Sequence, residues 1–326
     1  MFSLDNKTVL ITGGTGSFGK SFTKYLLENF NLKKLIVFSR DELKQFQMEK
    51  EIVDPRLRFF IGDVRDLPRL QRALCGVDVV IHAAALKQVP ALEYNPFEAV
   101  KTNILGTQNI LEACIDQGVE KAVLISTDKA AHPVNLYGAT KLCAEKLFIG
   151  ANSYSANRCK FVVVRYGNVI GSRGSIVETL LKKKDVDTVY ITDERMSRFW
   201  LTLKQSMELV MKALKEGEGG EIFIPKAPSQ LVKNLFEALV PAAKKVISGI
   251  RPGEKLHEVL LTNQESRHAV ETENHYIVLP EFLDTTSERY QKYAALPKVP
   301  ENFQFASDSN AVWLTIEEFK ELLENV

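Results

Sequence analysis

The run Thr8-Val9-Leu10-Ile11-Thr12-Gly13-Gly14-Thr15-Gly16-Ser17-Phe18-Gly19 leaves this chain few ways to fold. Consecutive apolar residues stopped by glycine read as a short strand buried on both faces. Beyond the glycines, Phe22, Leu26 and Leu27 recur at helical spacing. Strand, glycine turn and helix in direct succession form the context that a dinucleotide requires. Glycine permits the tight turn, lets phosphates approach the main chain and lets the helix pack on the strand. The helix N-terminus adds free N–H groups and the positive end of its dipole. Gly13, Thr15, Gly16, Ser17, Phe18 and Gly19 are the expected cofactor contacts, spaced as Gly-x-x-Gly-x-x-Gly and not as GxGxxG.

Further apolar runs at Leu35–Phe38, Arg58–Ile61, Val79–His82, Ala122–Ile125 and Phe161–Val164 alternate with helical stretches. That alternation predicts an α/β chain, a Rossmann-type doubly wound parallel sheet over about residues 1–168. Ligands of such sheets bind off the carboxyl ends of the strands. Polar residues gather there. After the second strand come Ser39, Arg40, Asp41 and, one helical turn on, Lys44. A guanidinium suits a ribose 2′-phosphate, which points to NADP; Asp41 keeps NAD open, since a carboxylate there suits a 2′-hydroxyl. Asp63, followed by Val64, can accept from an adenine amino group or cap a turn. Ala83 and Ala85 are small enough for a close cofactor approach, and Lys87 can reach a diphosphate. His82 reads as a core histidine. Asn103 opens or interrupts a long helix and reads as a structural amide that orders the active-site helix.

The fifth strand delivers Ser126-Thr127-Asp128-Lys129, and a proline-containing loop leads to a helix starting near Leu136. Tyr137 and Lys141 are four apart and share one face of it. A phenol is a poor base at neutral pH, with a pKa of about 10. A neighbouring ammonium favours the phenolate. The pair suits removal of a hydroxyl proton while hydride leaves the same carbon. Asp128 beside Lys129 is either a strand-end salt bridge or an acid/base pair. Burial favours both neutral forms and mutual attraction both charged ones, so the two titrate as a unit.

Past Asn168 the pattern loosens. A smaller α/β substrate lobe is expected over 169–194 and 226–326, with 195–225 returning to the first domain. Its loops Gly171–Ser175, Arg195–Trp200 and Arg251–Lys255 carry arginines able to hold a nucleotide-sugar diphosphate. Thr315–Leu323 reads as a capped amphipathic helix. The chain has 326 residues, 45% apolar and 25% charged, with net charge +1. Nothing there suggests bulk binding to nucleic acid or to a membrane surface; Lys182-Lys183-Lys184 reads as a solvated helix end. No run approaches the roughly 18 apolar residues of a membrane span. Cys75, Cys114, Cys143 and Cys159 are widely spaced, with no CxxC and no Cys/His cluster. They suggest free thiols in a reducing, cytoplasmic setting and no metal site.

The residues 12–19, 39–42, 83–90, 126–131, 165–175, 198–200 and 251–258 resemble the extended short-chain dehydrogenase/reductases acting on nucleotide sugars, and among these the UDP-N-acetylglucosamine 4,6-dehydratases. Retaining members have Met where this chain has Tyr137, so the resemblance is to the inverting, 5-epimerising kind that opens pseudaminic acid synthesis. It implies NADP, UDP-N-acetylglucosamine as substrate and a homo-oligomer, dimer or hexamer. It implies substrate contacts at Lys87, Tyr166, Asn168, Val169, Arg173, Gly174, Ser175, Thr192, Arg198, Arg251 and Glu254. Ser126, Tyr137 and Lys141 would touch the cofactor. Tyr137 would take the 4-hydroxyl proton with Lys141 lowering its pKa, Thr127 would serve the same oxygen, Lys129 would take the C5 proton, and Asp128 would protonate the departing 6-hydroxyl. Two other readings stand beside it: a UDP-sugar 4-epimerase, which needs no acid/base pair at C5 and C6, and a non-catalytic NADP-binding regulator.

Overall fold

The structure is a computed structural model that describes residues 2–156, 158–172, 174–182, 186–282, 284 and 286–324. Six parallel strands form its centre: β1 (Thr8–Thr12), β2 (Lys34–Ser39), β3 (Leu57–Ile61), β4 (Val79–His82), β5 (Lys121–Thr127) and β6 (Lys160–Tyr166). They lie in the order β6-β5-β4-β1-β2-β3. Every residue of β1 and β4 is buried, as unbroken apolar runs require once helices cover both faces. Register pairs Leu10 with Ile36 on one side and with Val80 on the other.

Helices α1 (Ser17–Asn29), α2 (Glu42–Glu51), α3 (Leu67–Ala73), α4 (Val89–Tyr94), α5 (Pro96–Ala99), α6 (Gly106–Gln117) and α7 (Leu136–Tyr154) connect these strands. Between α5 and α6 the helix widens into a π-helical turn at Val100–Leu105, which holds the interruption expected around Asn103. Two glycines of the first turn are sterically obligatory. A Cβ on Gly13, which has φ +65°, would lie 2.9 Å from the Ala84 main chain, and one on Gly19 would lie 2.5 Å from the Gly14 Cα.

The lobe differs from the sequence expectation in two places. Ser197–Leu201, expected back in the first domain, pairs instead with Asn168–Val169 and Ser229–Leu231 in a separate three-stranded sheet. The return is made by the helix Leu203–Glu216, opened by a Thr202/Gln205 capping box, and by the strand Ile222–Pro225 beside β6. Second, Ala269–Glu271 and His275–Val278, expected in the lobe, form a hairpin whose second strand pairs antiparallel with Ile222–Pro225, completing a nine-stranded sheet. A tight turn in which Thr272 and His275 bond each other allows this, and it covers what would otherwise be an open edge. The remaining lobe has its own small core of Ile170, Val177, Trp200, Leu235, Phe319 and Leu323. Its last helix, Ile316–Glu324, is capped by Thr315 and Glu318 in reciprocal bonds.

Candidate active site

One cavity of about 710 Å³ runs along the carboxyl ends of β1 to β6. Gly13, Thr15, Gly16, Ser17, Phe18 and Gly19 line its floor. Ser39, Arg40 and Lys44 line one end, with Asp63 and Val64 beside them; Ala83 and Ala85 lie midway, and Ser126, Tyr137 and Lys141 stand at the other end. At the β2 end, Asp41 caps α2 by accepting from the Lys44 N–H at 3.0 Å, and its carboxylate pairs with Lys44 Nζ at 2.6 Å. Asp63 is held by Arg65 at 2.7 Å and approached by Arg40 at 3.7 Å. Buried Gln45 donates to the Ser39 carbonyl and hydroxyl, which fixes the strand end.

The catalytic candidates sit where β5 runs into a single 3₁₀ turn, Asp128–Ala130, and where α7 begins. Asn135 caps α7 through the Gly138 N–H at 2.8 Å and donates to the Gly253 carbonyl of the lobe at 2.8 Å. Asn103 accepts from the Leu86 N–H and donates to the Leu86 carbonyl and to Thr140 Oγ1, which in turn donates to the Tyr137 carbonyl. The π-helical turn thus positions the helix carrying Tyr137 by direct bonds.

Thr127 and Lys129 line the cavity, whereas Asp128 is fully buried behind its wall. Asp128 Oδ1 accepts from Thr127 Oγ1 at 2.9 Å and from Lys129 Nζ at 3.0 Å. Asp128 Oδ2 has no hydrogen-bond partner among the described residues. It faces Gly167, whose absent Cβ would lie 3.2 Å from it, and Gly167 lines the cavity. A buried carboxylate oxygen without a partner is costly unless something else meets it.

Burial pulls the Lys129 ammonium towards its neutral form, but the carboxylates of Asp128 and Glu258 together outweigh this and hold its pKa above the ordinary value. Mutual attraction therefore prevails over burial for this lysine. Burial raises the Tyr137 phenol to about 12, with Lys129 and Thr127 drawing it down and Asp128 pushing it up. Lys141 donates to the Ile125 carbonyl at 2.7 Å, and burial lowers it to about 8 against the opposing pull of Glu145. Lys141 was expected beside the phenol; its ammonium is bonded to the Ile125 carbonyl, and Lys129 is a further cation that favours the phenolate.

Of the expected substrate contacts, Lys87, Tyr166, Asn168, Val169 and Gly174 line the cavity. Burial lowers Lys87 and raises Tyr166. Ser175, Thr192, Arg198, Arg251 and Glu254 lie outside the lining. Ser175 caps the following helix, and Thr192 donates to Met196 Sδ. Arg251 and Glu254 close their own turn. Arg198 donates to the carbonyls of Ser197, Lys255 and Leu256. Arg173, with Lys183 and Lys184, lies outside the described residues. Two groups escaped the sequence reading. Thr102 lines the cavity with a buried hydroxyl that has no partner among the described residues. Glu258, only 2% exposed, lies 3.4 Å from Lys129 Nζ; its sole sequence signal is its place in the Arg251–Glu258 run.

A doubly wound parallel sheet with a glycine-rich first turn, and Tyr-x-x-x-Lys after the fifth strand, defines an extended short-chain dehydrogenase/reductase. Within that class the chain belongs to the polysaccharide biosynthesis protein family, which it matches over residues 9–280. It is 47% identical over 328 residues to the UDP-N-acetylglucosamine 4,6-dehydratase (inverting) of Campylobacter jejuni, covering 98% of each chain. It is 38% identical to the UDP-glucose 4-epimerase of Rickettsia rickettsii, covering 98% of this chain and 95% of that one. The X-ray structure of Pen from Bacillus thuringiensis superimposes with a TM-score of 0.90 at 38% identity, over 100% of both chains. No described helix is long and apolar enough to cross a membrane.

Proposed function

We propose that this protein catalyses NADP-dependent 4,6-dehydration of UDP-N-acetylglucosamine with inversion at C5, giving UDP-2-acetamido-2,6-dideoxy-β-L-arabino-hex-4-ulose. The observation that carries the reading is the Asp128–Lys129 pair, which stands beside Tyr137 with Asp128 Oδ2 turned towards the cavity edge at Gly167. A 4-epimerase has no use for an acid and a base at C6 and C5.

The cavity fits a nicotinamide dinucleotide. Its glycine floor leaves no room for a Cβ at Gly13, and the Thr102 hydroxyl awaits a partner. Gly13, Ser126 and Lys141 on the lining would hold it, and when bound it would supply a hydride acceptor and donor for the sugar. For the 2′-phosphate form the support is Arg40 and Lys44 on the lining, with Asp41 already occupied as a helix cap. Tyr137 takes the 4-hydroxyl proton as its phenolate, the form that the Lys129 ammonium and the Thr127 hydroxyl favour against burial, with Thr127 at the same oxygen. The 4-ketone makes the C5 proton acidic. Lys129 passes its resting proton to Asp128 across 3.0 Å, which leaves a neutral amine for C5 and a neutral acid for the 6-hydroxyl. The C5–H bond breaks as a proton joins Lys129, and the C6–O bond breaks as Asp128 protonates the oxygen, releasing water; a proton then joins C5 on the opposite face, which gives the inversion and returns the enzyme to its starting proton count. General acid/base steps of this kind contribute roughly 10²–10⁴-fold each.

The same reading makes the enzyme a carbon–oxygen lyase at the first step towards pseudaminic acid, working in the cytoplasm as a homo-oligomer, dimer or hexamer. Light scattering on the purified protein tests the assembly. A second reading, UDP-sugar 4-epimerase, draws on the Rickettsia rickettsii relative. Proton NMR of the reaction with UDP-N-acetylglucosamine in deuterated water separates the two. A 6-deoxy-4-keto product of L-arabino configuration, deuterated at C5, supports the dehydratase. UDP-N-acetylgalactosamine alone makes it an epimerase. Tighter binding of NADP than of NAD, lost in Arg40→Ala, is the expected cofactor result.

A further inference from the structure

The lobe sends a carboxylate into the acid/base pair. Glu258 follows the Arg251–Lys255 turn and enters the strand Val259–Leu261. Its main-chain N–H donates to Ser307 Oγ at 3.0 Å. Glu258 Oε1 lies 3.4 Å from Lys129 Nζ and 3.8 Å from Arg198 Nε, and Oε2 lies 3.4 Å from Lys255 Nζ. Lys255 reaches across as well, donating to the Ala131 carbonyl at 2.6 Å. The turn that holds Asp128 and Lys129 is therefore braced from the second lobe at two points.

We propose that Glu258 is a positioning residue for Lys129, one that aims the amine at C5 and stabilises the ammonium formed there when the C5 proton is taken. The inference rests on the dehydratase reading above.

The charges around Lys129 support this role. Asp128 faces it from its own turn, Tyr137 from α7, and Glu258 from the lobe, with Arg198 behind Glu258. In the reacting state Asp128 has become a neutral acid and no longer balances a cation. Glu258 is then the remaining carboxylate beside the amine. Without it, Arg198 and Lys255 would oppose protonation of Lys129 and weaken it as a base. A base that must remove a carbon-bound proton gains from a carboxylate held behind it, because that carboxylate favours the charged product. The buried setting makes the pairing stronger than it would be in water.

Glu258→Gln tests this, read against the unaltered enzyme and Glu258→Asp. With UDP-N-acetylglucosamine, Glu258→Gln is expected to lose at least about tenfold in kcat with little change in KM. Its acid limb should move to lower pH by roughly one unit, the size expected for loss of one nearby opposite charge. The kinetic isotope effect from substrate deuterated at C5 should rise, since C5 deprotonation becomes limiting. Glu258→Asp should recover part of each change. Independently of turnover, ε-carbon NMR of the labelled lysines should show Lys129 titrating at lower pH in Glu258→Gln. If Glu258→Gln does not fold, Glu258→Asp carries the same measurements with smaller shifts. An unchanged isotope effect and an unchanged Lys129 titration in a folded variant overturn the proposal. Failure of the unaltered enzyme to form any 6-deoxy product overturns the dehydratase reading instead.

Discussion

Gly138 stands so close to Lys129 that a Cβ on it would lie 2.1 Å from the Lys129 carbonyl oxygen. The obstacle is main chain and cannot swing aside. The first turn of α7 and the turn bearing Asp128 and Lys129 are thus packed backbone to backbone, which brings the Tyr137 phenol and the Lys129 ammonium into one site. Gly138→Ala should cost about 1–3 kcal/mol in urea unfolding. It should also lower kcat by about 10²-fold, since a misplacement of about 1 Å has that effect. Unaltered turnover in a destabilised Gly138→Ala protein would mean that this packing does not set the geometry.

Asp128→Asn and Lys129→Met should separate the two halves of the reaction. Each is expected to lower formation of 6-deoxy product by roughly 10²–10⁴-fold. Oxidation at C4 should persist and appear as reduced nicotinamide that builds up on mixing with substrate. A Lys129→Met enzyme that makes the 6-deoxy product at the usual rate would remove Lys129 from the mechanism.

Asn103 is 2% exposed and joins Leu86 to Thr140 across the π-helical turn. Asn103→Ala leaves the Leu86 main-chain groups without their partner, so about 2–3 kcal/mol should be lost. The denaturant midpoint should fall with the slope unchanged. A midpoint equal to that of the parent protein would argue that water replaces the amide without loss.

Buried His82 hydrogen-bonds Thr12 Oγ1 through Nδ1 at 2.7 Å and Thr107 Oγ1 through Nε2 at 3.1 Å, and burial followed by Lys141 lowers its pKa to about 3. The unfolded chain binds a proton at this residue below about pH 6.5, and the folded one does not until about pH 3. Stability therefore rises with pH between those values and is lost on acidification, by at most roughly 1.4 kcal/mol per pH unit. His275, lowered to about 4, acts in the same direction, whereas Glu265 contributes only below its usual range near 4.5. Between pH 6.5 and 4.5 the Tm of His82→Gln should fall less steeply than that of the parent. Parallel slopes would refute the assignment.

The central sheet was legible because its strands are continuous apolar runs, and a strand such as Val9-Leu10-Ile11 has no other stable place. That the polar residues after these strands line one cavity was legible for a related reason: topology alone puts strand ends together. The lobe was less so. The hairpin at Ala269–Val278 returns to the main sheet after a long excursion, and short strands of three or four residues carry little periodic signal. Glu258 was invisible as a partner of Lys129, because it comes from a segment 129 positions later and a lone Glu has no spacing to announce it. Thr102 was hidden by its neighbour Asn103, and only its buried, unmatched hydroxyl marks it. The preference of Lys129 for its charged form depends on the balance between two carboxylates and burial, which composition cannot weigh.

Arg165 of β6 is fully buried between Glu145 of α7 and Glu265, to which it donates at 2.6 and 2.7 Å. Glu265 lies 100 positions further along the chain. As the polypeptide leaves the ribosome, Glu145 and Arg165 emerge early, but the second carboxylate arrives only after about half of the second lobe has been made. Until then the guanidinium faces its burial with one counter-charge out of two, and leaving such a group short of a partner costs on the order of 3–5 kcal/mol. A fragment ending before Glu265 should therefore be cut by protease far faster than the whole chain, and equal resistance would show that the first half needs no such closure. The half built on the parallel sheet is on this view a late-maturing unit, locked from a distance by a later part of the chain.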